Sequence, residues 1–357
     1  MKLRDHYEYA IACLTSMGVR ITPEDRMQTN HSRHFYMQAT SAETNVLNIA
    51  ASLQLPVLAM TKFVKDSPIA LLIKSELRSR GISYIGKEIS QDGPWGYRHQ
   101  FNIADSGYGM RAPRVWNDRA GEVGRTLSPD DFDLEEIFVR KGVGILHLSG
   151  LIAAMSEETT ACCLELARFA RKNGTLVSFD LNYRDSFWKG REAELGKAFR
   201  ELAENADILS GNEEDFQLCL GIRGPETGGK DLKDKIESFR RMIQEAKKAF
   251  AEVSVFTTTL RQVISANRHL WGAVMSVGDN WFVEEPREID VMDRIGGGDG
   301  FMSGLLYALV KGYEPAEWIR FGWAGGVLAA SSLNDYAEPA DEKQLRDIYK
   351  GNARVQR

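Results

Sequence analysis

Short apolar runs alternate with longer amphipathic stretches from about residue 140 onward, and this alternation restricts the fold more than any other feature. The run VGILHLSG (143–150) predicts a buried strand, residues 157–174 an amphipathic helix that ends at Gly174, and LVSFDLN (176–182) another strand. Strand, helix and strand form a βαβ unit, whose two strands lie parallel in one sheet. We therefore expect an α/β fold with a mostly parallel central sheet covered by helices on both faces.

The same alternation continues to the C-terminal part of the chain. It predicts strands at 206–212 and 253–260, a helix at 239–252, a hairpin around Gly278-Asp279-Asn280, and two closing helices from about Asp299 to Val310 and from Pro315 to Leu333. These elements complete a three-layer α/β/α arrangement.

The first 125 residues are less regular. They predict an opening strand over 10–22 and helices over 43–53 and 68–80. Residues 93–122 are rich in glycine, aromatic residues and arginine, which indicates strands and loops that project from the main sheet. We expect one domain over residues 1–357, with a small β-sheet lid drawn from about 15–45 and 93–120.

Composition excludes several classes of protein. With 43% hydrophobic and 27% charged residues, the chain has the proportions of a soluble globular protein. Its net charge of -5 offers no broad basic surface for nucleic acid or an anionic membrane. The four cysteines include no C-x-x-C pair, and no apolar stretch reaches the roughly 20 residues of a membrane span. We expect a cytoplasmic protein that binds neither nucleic acid nor membranes.

The run Gly296-Gly297-Gly298-Asp299 precedes a helix-like segment and is the strongest chemical signal. Glycines at a helix start leave backbone N–H groups accessible at the positive end of the helix dipole, where an anion such as phosphate binds. A carboxylate beside that anion makes sense if Asp299 accepts the proton of an attacking hydroxyl. The alternative is a glycine-rich turn in which Asp299 only caps the helix.

A second phosphate-loop spacing occurs in residues 224–230, but the position after Lys230 is Asp231, where a hydroxyl is needed for Mg²⁺. We do not expect a nucleotide site there. His147 lies in a predicted buried strand without a nucleophile motif around Ser149, so we expect it to be structural.

Five motifs in order resemble the ribokinase-like (PfkB) carbohydrate kinases, and in particular the 2-keto-3-deoxygluconate kinase branch. They are LHLSGL (146–151), FDLNYRDSFW (179–188), GNEEDF (211–216), TTLRQVISAN (258–267) and DRIGGGD (293–299). The resemblance spans nearly the whole chain. It implies a ribokinase-like fold and ATP-dependent phosphorylation of a sugar.

The resemblance also implies roles for residues on the nucleotide side. Asp299 would be the catalytic base, and the amides of Gly296, Gly297, Gly298 and Asp299 the anion hole. The remaining implied contacts to ATP and Mg²⁺ belong to Asn212, Asp215 (also as a metal ligand), Arg261 and Asn334, the last in the loop expected near the purine.

On the acceptor side, the resemblance implies that Arg119 and Arg184 bind the acid group of the sugar, because a guanidinium pairs well with a carboxylate. Arg20 stands where many kinases of the wider family carry an aspartate, and an arginine there fits an acidic substrate better than a neutral one. Asn45 and Asp293 complete the implied substrate-binding set. Taken alone, an arginine is more often a surface residue, and a structural role is the alternative for Arg20 and Arg184.

The acceptor half departs from the family pattern. Thr40-Ser41 replaces a glycine pair, Thr15-Ser16 replaces Gly-Glu, and Asn117 stands where a tyrosine is expected. We therefore expect a kinase of a sugar acid, with 2-keto-3-deoxygluconate as the first candidate. A neutral ketose, a nucleoside or an uncommon sugar acid remains an alternative acceptor, and a non-catalytic sugar- or nucleotide-binding homologue is a third possibility. Pairing of lid edges predicts a homodimer.

Overall fold

The structure is a computed structural model that describes residues 1–223 and 232–354. The second glycine-rich segment, residues 224–230, lies outside the described residues.

The described residues form thirteen strands and eleven α-helices. The strands are β1 (Tyr9–Leu14), β2 (Gly18–Pro23), β3 (Phe35–Thr40), β4 (Val57–Val64), β5 (Ser83–Ile89), β6 (Gln100–Asp105), β7 (Arg114–Asp118), β8 (Val143–Ser149), β9 (Leu176–Asp180), β10 (Ile208–Ser210), β11 (Val255–Ser265), β12 (Arg268–Val277) and β13 (Asn280–Asp290). The helices are α1 (Ala42–Ser52), α2 (Pro68–Ser79), α3 (Gly150–Ala153), α4 (Glu157–Lys172), α5 (Asp185–Trp188), α6 (Glu192–Glu204), α7 (Glu213–Leu220), α8 (Leu232–Ala249), α9 (Gly297–Val310), α10 (Pro315–Ala330) and α11 (Glu342–Lys350). A π-helical segment, Glu135–Gly142, precedes β8.

The chain divides into two compact units. The first unit comprises Met1–Leu14, Arg125–Leu260 and Gly272–Pro286, and the second comprises Thr15–Gly124, Arg261–Trp271 and Arg287–Arg357.

In the first unit, the strands lie in the order β13, β12, β11, β10, β9, β8, β1. The pairs β1–β8, β8–β9, β9–β10 and β10–β11 are parallel. These strands are almost wholly buried, since parallel strands need helices to cover them. Helix α4 begins with a capping box in which the Ser156 hydroxyl accepts from the Thr159 N–H, and its buried face includes Cys162, Leu166 and Ala170.

In the second unit, β4 and β5 pair in parallel. A separate four-stranded sheet, called here the small sheet, has the order β3, β2, β6, β7. Strand β2 is antiparallel to β3 and parallel to β6, and β6 is antiparallel to β7. All four strands come from the two segments from which the lid is predicted.

Helices α9 and α10 pack closely because glycines occupy their contact. A Cβ at Gly304 would lie 2.1 Å from the carbonyl oxygen of Phe321, and one at Gly300 would lie 2.6 Å from that of Gly325. Most side chains of α9 are buried, which agrees with its apolar sequence. This packing fixes the position of the N-terminus of α9 in the second unit.

The expected fold class is confirmed: a mostly parallel central sheet is flanked by helices, and a smaller sheet accompanies it. The hairpin turn at Gly278 and Asp279 also forms as expected. Among residues 1–223 and 232–354, no helix has the length and apolar character needed to cross a membrane.

Two expectations about elements are wrong. Residues 10–22 do not form one strand, since β1 and β2 lie in different sheets and are separated by Thr15, Ser16 and Met17. A third helix, α11, follows the two predicted closing helices, because Asp341 caps it by accepting from the Gln344 N–H.

Candidate active site

The glycine loop, defined as residues 293–299, leads into α9. Gly296 precedes the helix with a left-handed φ of 80°, and a Cβ there would lie 1.6 Å from the carbonyl oxygen of Asp335. Only glycine satisfies both constraints. Gly298 is different, because a Cβ at that position would meet no atom within 4 Å apart from its sequence neighbours and the backbone of its own helix. The first amides of a helix have no intrahelical acceptors, so the start of α9 presents N–H groups and a positive dipole end beside open space.

Asp299 lies in the first turn of α9 and is contacted by Asn45. The Asn45 amide Nδ2 donates a 2.9 Å hydrogen bond to Oδ2 of Asp299. Asn45 is only 2% exposed and stands in α1, whose start is capped by the Ser41 hydroxyl. The structure thus brings Asn45 and Asp299 together. The Asp299 carboxylate belongs to the same helix start whose amides could bind an anion.

Arg20 is fully buried between two carboxylates, and we call these three residues the Arg20 cluster. Its Nη2 donates to Oδ2 of Asp293 and its Nη1 donates to Oδ1 of Asp335. Burial alone would lower the pKa of Arg20, but the charges of Asp335 and Asp293 outweigh that effect and raise it. The guanidinium is therefore held in its charged form.

This arrangement differs from the expectation that Arg20 and Asp293 bind the substrate. Arg20 has 0% exposure, and both terminal nitrogens already donate to carboxylates of the chain. Residues 20, 293 and 335 are far apart in the sequence, and their spacing does not indicate that they meet. The role of Asp335 therefore could not be predicted from the sequence.

Arg119 is positioned by a buried glutamate that the sequence motifs did not indicate. Its Nη1 donates to both carboxylate oxygens of Glu122, at 2.9 and 3.0 Å. The Ser16 hydroxyl donates to the same carboxylate at 2.5 Å, and the neighbouring Thr15 hydroxyl donates to Glu43 at 2.8 Å. The Thr15-Ser16 departure therefore provides hydroxyl donors to two buried glutamates.

Asn212 and Asp215 lie in the first unit and form the start of α7. The Asn212 side chain accepts from the Asp215 N–H at 3.0 Å, and Oδ2 of Asp215 accepts from the Asn212 N–H at 2.8 Å. Oδ1 of Asp215 accepts from the Tyr183 N–H at 3.0 Å. Burial raises the pKa of Asp215 in spite of these two N–H donors. A capping box thus accounts for this pair, and the expected roles of Asn212 and Asp215 toward ATP and Mg²⁺ stay predictions.

The remaining predicted residues have varied environments. Arg184 is exposed in the first unit and donates to the Tyr183 carbonyl at 2.7 Å. Arg261 belongs to the second unit and keeps an exposed surface, although desolvation of its guanidinium and the charge of Arg294 lower its pKa to about 10. Asn334 is half-buried beside Asp335.

No group of three or more His, Cys, Asp or Glu side chains that could hold a metal ion occurs in the part of the chain described. His147 is fully buried in the first unit, 3.1 Å from the Ser178 hydroxyl through Nδ1, and burial lowers its pKa to about 3. This environment suits the structural role expected for it.

The profile described as pfkB family carbohydrate kinase matches residues 125–342, more than half of the chain. The chain belongs to the pfkB family of carbohydrate kinases. It is therefore a kinase of a family that uses ATP, and its substrates are small-molecule sugars or sugar acids.

Curated relatives are similar to this kinase at modest identity. It is 25% identical over 341 residues to the 2-dehydro-3-deoxygalactonokinase of Haloferax volcanii, which covers 95% of this chain and 96% of that protein. It is 27% identical to the 5-dehydro-2-deoxygluconokinase of Clostridium perfringens, over 58% of this chain and 54% of that protein. The kinase thus matches only about half the length of the latter relative.

Solved structures agree with the fold of this kinase. The 2-dehydro-3-deoxygluconokinase of Thermotoga maritima has a TM-score of 0.85 at 24% identity, with 97% of this chain and 100% of that chain covered. A ribokinase-like protein of E. coli in complex with ATP and Mg²⁺ has a TM-score of 0.75 at 15% identity, with 96% and 99% covered. At these identities the likeness shows the fold alone.

Proposed function

We propose that this kinase transfers the γ-phosphoryl group of ATP to a hydroxyl of a sugar acid, with 2-keto-3-deoxygluconate, giving its 6-phosphate, as the first candidate. The observation that carries the proposal is the hydrogen bond from Asn45 to Asp299 at the open start of α9. The names of the similar 2-dehydro-3-deoxy sugar kinases support the choice of acceptor class.

In this proposal, Asp299 accepts the proton of the attacking hydroxyl, while Asn45 orients the carboxylate through Oδ2. The N–H groups of Gly296, Gly297, Gly298 and Asp299 stabilise negative charge on the transferring group, as preorganised donors do in other transferases. Open space beside Gly298 supports this placement, because a Cβ there would meet no atom within 4 Å apart from its sequence neighbours and the backbone of its own helix. When bound, Mg-ATP supplies the phosphoryl group and a compensating positive charge.

The nucleotide contacts proposed from the family motifs are Asn212, Asp215, Arg261 and Asn334, with Asp215 near Mg²⁺. Arg261 is well suited to an anion, because burial of its guanidinium and, second to it, repulsion from the like charge of Arg294 lower its pKa to about 10. Relief of that repulsion by a phosphate would favour binding. Because the phosphoryl donor is ATP, we also infer a cytoplasmic location, which cell fractionation can test.

For the acceptor, we propose that Arg119 and Arg184 bind the carboxylate of the sugar acid. Arg119 keeps 16% of its side chain exposed while Glu122 holds one of its nitrogens, and Arg184 is exposed. The partial match to a 5-dehydro-2-deoxygluconokinase keeps a different sugar as a second candidate acceptor.

The experiment is a measurement of ADP release from Mg-ATP with 2-keto-3-deoxygluconate, related sugar acids, 5-dehydro-2-deoxygluconate, fructose, ribose and nucleosides. Asp299→Asn is the matched variant, and it should lower kcat by about 10² to 10⁴ while ATP binding survives, as expected for loss of a general base. Turnover only with a neutral sugar would refute the sugar-acid assignment. Near-normal turnover of Asp299→Asn would refute its role as base, and absence of turnover with every acceptor would favour a non-catalytic binder.

We also infer a homodimer formed through the small sheet. Its edge strands β3 and β7 expose large apolar side chains, with Tyr36 50% and Trp116 70% exposed. Pairing of two such sheets would cover these side chains and their strand edges. Sedimentation should give a dimer that Trp116→Glu weakens, and a monomer at micromolar concentration would refute the inference.

A further inference from the structure

Arg20 is an unusual residue to find wholly inside a protein. Its side chain is 0% exposed, and the side chains of its partners Asp293 and Asp335 are 0% and 2% exposed. Removing an arginine and two carboxylates from water is costly, and well-packed apolar residues often replace such groups without loss of stability. A buried ionic cluster is therefore weak evidence for a stabilising role. The residues that lie around the Arg20 cluster are a better guide to what it does.

Both aspartates of the Arg20 cluster contact the glycine loop, Asp293 through its carboxylate and Asp335 through its backbone. Oδ1 of Asp293 accepts from the Ile295 N–H at 3.0 Å. On the other side, the backbone of Asp335 lies so close to Gly296 that a Cβ on Gly296 would be 1.6 Å from its carbonyl oxygen. The guanidinium thus connects residues that flank the left-handed turn before α9.

Hydroxyl groups complete the cluster from neighbouring segments of the second unit. The Thr40 hydroxyl at the end of β3 donates to Oδ2 of Asp335. The Ser106 hydroxyl just after β6 donates to Oδ2 of Asp293 at 2.7 Å. Each carboxylate therefore receives one guanidinium nitrogen and one hydroxyl from the small sheet or its connecting segment, and the Gln38 amide on β3 adds a 3.4 Å hydrogen bond to Oδ1 of Asp335. Together with the Ile295 N–H, these donors determine how the two carboxylates are oriented.

We propose that Arg20 is a positioning residue that fixes the glycine loop for phosphoryl transfer, and that it does not bind the acid group of the sugar. The planar fork of arginine can bridge two carboxylates at once, which lysine cannot reproduce. Loss of the fork lets Asp293 and Asp335 separate and moves the amides of Gly297 and Gly298 from the geometry that an anion needs. The inference rests on the proposed anion-binding role of those amides.

The first test compares Arg20→Lys and Arg20→Met with the unchanged protein in steady-state kinetics, using Mg-ATP and the preferred acceptor. We expect kcat/KM for ATP to fall at least about tenfold in both variants, because lysine keeps the charge but loses the fork. The KM of the acceptor should change less than about twofold. A rise of about tenfold or more in the acceptor KM, with kcat/KM for ATP unchanged, would overturn the inference in favour of a sugar-binding arginine.

Because the Arg20 variants could fold poorly, milder variants provide a second test. Thr40→Val and Ser106→Ala each remove one hydroxyl donor to the cluster and keep its three charges. Thr22→Val is the matched control, since the Thr22 hydroxyl is buried on the same strand as Arg20 and has no hydrogen-bond partner among the described residues. We expect kcat/KM for ATP to fall by about threefold to tenfold in the two test variants, consistent with one lost hydrogen bond, and to stay unchanged in the control. Equal values in all three variants would contradict the inference.

Binding of a non-hydrolysable ATP analogue with Mg²⁺, measured by calorimetry, separates this inference from the proposed function. Thr40→Val and Ser106→Ala should weaken analogue binding, whereas Asp299→Asn should not. Weaker binding in the hydroxyl variants together with normal turnover of Asp299→Asn would refute Asp299 as base and support the role of Arg20. Normal analogue binding in the hydroxyl variants, with Asp299→Asn inactive, would refute the role of Arg20 alone.

Discussion

Asn45 and Asp299 are separated by 254 positions in the sequence, yet Nδ2 of Asn45 donates a 2.9 Å hydrogen bond to Oδ2 of Asp299. The contact joins the first turns of α1 and α9 within the second unit. Both helix starts are defined locally, α1 by the Ser41 cap and α9 by the turn at Gly296. The orientation of the proposed base therefore depends on two separately stabilised helix ends.

Replacement of Asn45 by Ala should lower kcat by about tenfold to a hundredfold, because a hydrogen bond to a charged group contributes about 1.5–3 kcal/mol. The KM for ATP should change little, since Asn45 contacts the base and not the glycine amides. Steady-state kinetics at saturating acceptor measure this effect. The control is Asn48→Ala one turn later, which removes contacts to Arg80 and Ala337 and should reduce thermal stability without lowering kcat. An unchanged kcat in Asn45→Ala would exclude the proposed orienting role.

Two glycines of the loop form a matched pair for mutation to Ala. Gly298→Ala should leave the melting temperature unchanged or slightly raised, because the new methyl would contact no other part of the fold and alanine favours a helix by up to about 1 kcal/mol. The same methyl enters the space proposed for phosphate, so the KM for ATP should rise at least about tenfold. Gly296→Ala should instead destabilise the fold by at least about 2 kcal/mol, because its φ is 80° and the Cβ would overlap Asp335. Calorimetric melting and ATP kinetics test both, and normal ATP kinetics in Gly298→Ala would argue against the anion site.

Glu122 should position Arg119, so Glu122→Gln is expected to raise the KM of an acidic acceptor by about tenfold while the KM for ATP is unchanged. Loss of the carboxylate charge removes the ion pair between Glu122 and the partly buried guanidinium of Arg119, and lowers the melting temperature as well. The control is Asp118→Asn, which removes a more exposed ion pair with Arg98 and should affect neither property measurably. Equal acceptor KM values in the two variants would refute the positioning role of Glu122.

His147 should make the stability of the protein fall as the solution becomes acidic. Burial lowers the pKa of His147 to about 3, whereas in the unfolded chain its imidazole binds the proton near the ordinary histidine pKa of 6.5. The unfolded state therefore binds more protons between these two values, and stability decreases from about pH 6.5 toward pH 3 by up to about 1.4 kcal/mol per pH unit. Above pH 6.5 this contribution is constant.

Urea unfolding of His147→Asn at pH 7.5, 6 and 5 tests this prediction. As the pH falls, the free energy of unfolding should decrease less in the variant than in the unchanged protein, because asparagine binds no proton in this range. His6→Asn, at an exposed position, is the control and should keep the slope of the unchanged protein. Parallel slopes for all three proteins would exclude His147 as a source of the pH dependence.

The parallel sheet of the first unit could be predicted because its signals are local. Apolar runs such as 143–150 and 176–182 are long enough to predict a buried strand, and the helix between them has its own N-cap at Ser156. The opening strand over 10–22 was predicted wrongly for the same local reason. Its apolar residues continue past Thr15 and Ser16, and nothing in the run indicates that the chain passes to a second sheet.

In the candidate site, too, residues with a local sequence signal could be predicted, and residues that depend on distant partners could not. The glycine loop and Asp299 were predictable, because a helix start rich in glycine has a local physical meaning. The partners Glu122 and Asp335 could not be predicted, because nothing in the sequence distinguishes a carboxylate on the surface from one that is buried against an arginine. Arg20 shows this limit most clearly: its residue type suggested an acidic substrate, but its partners in the structure are two aspartates of the chain itself.

By itself, the sequence determined the succession of strands and helices, the glycine loop at the start of α9 and the family to which the kinase belongs, because these depend on neighbouring residues. Only the tertiary structure decided which charged and polar side chains meet: Arg20 with Asp293 and Asp335, Arg119 with Glu122, and Asn45 with Asp299. The physical reason is that the environment of a charged or polar side chain depends on burial and on partners distant in sequence, and these exist only once the chain has folded.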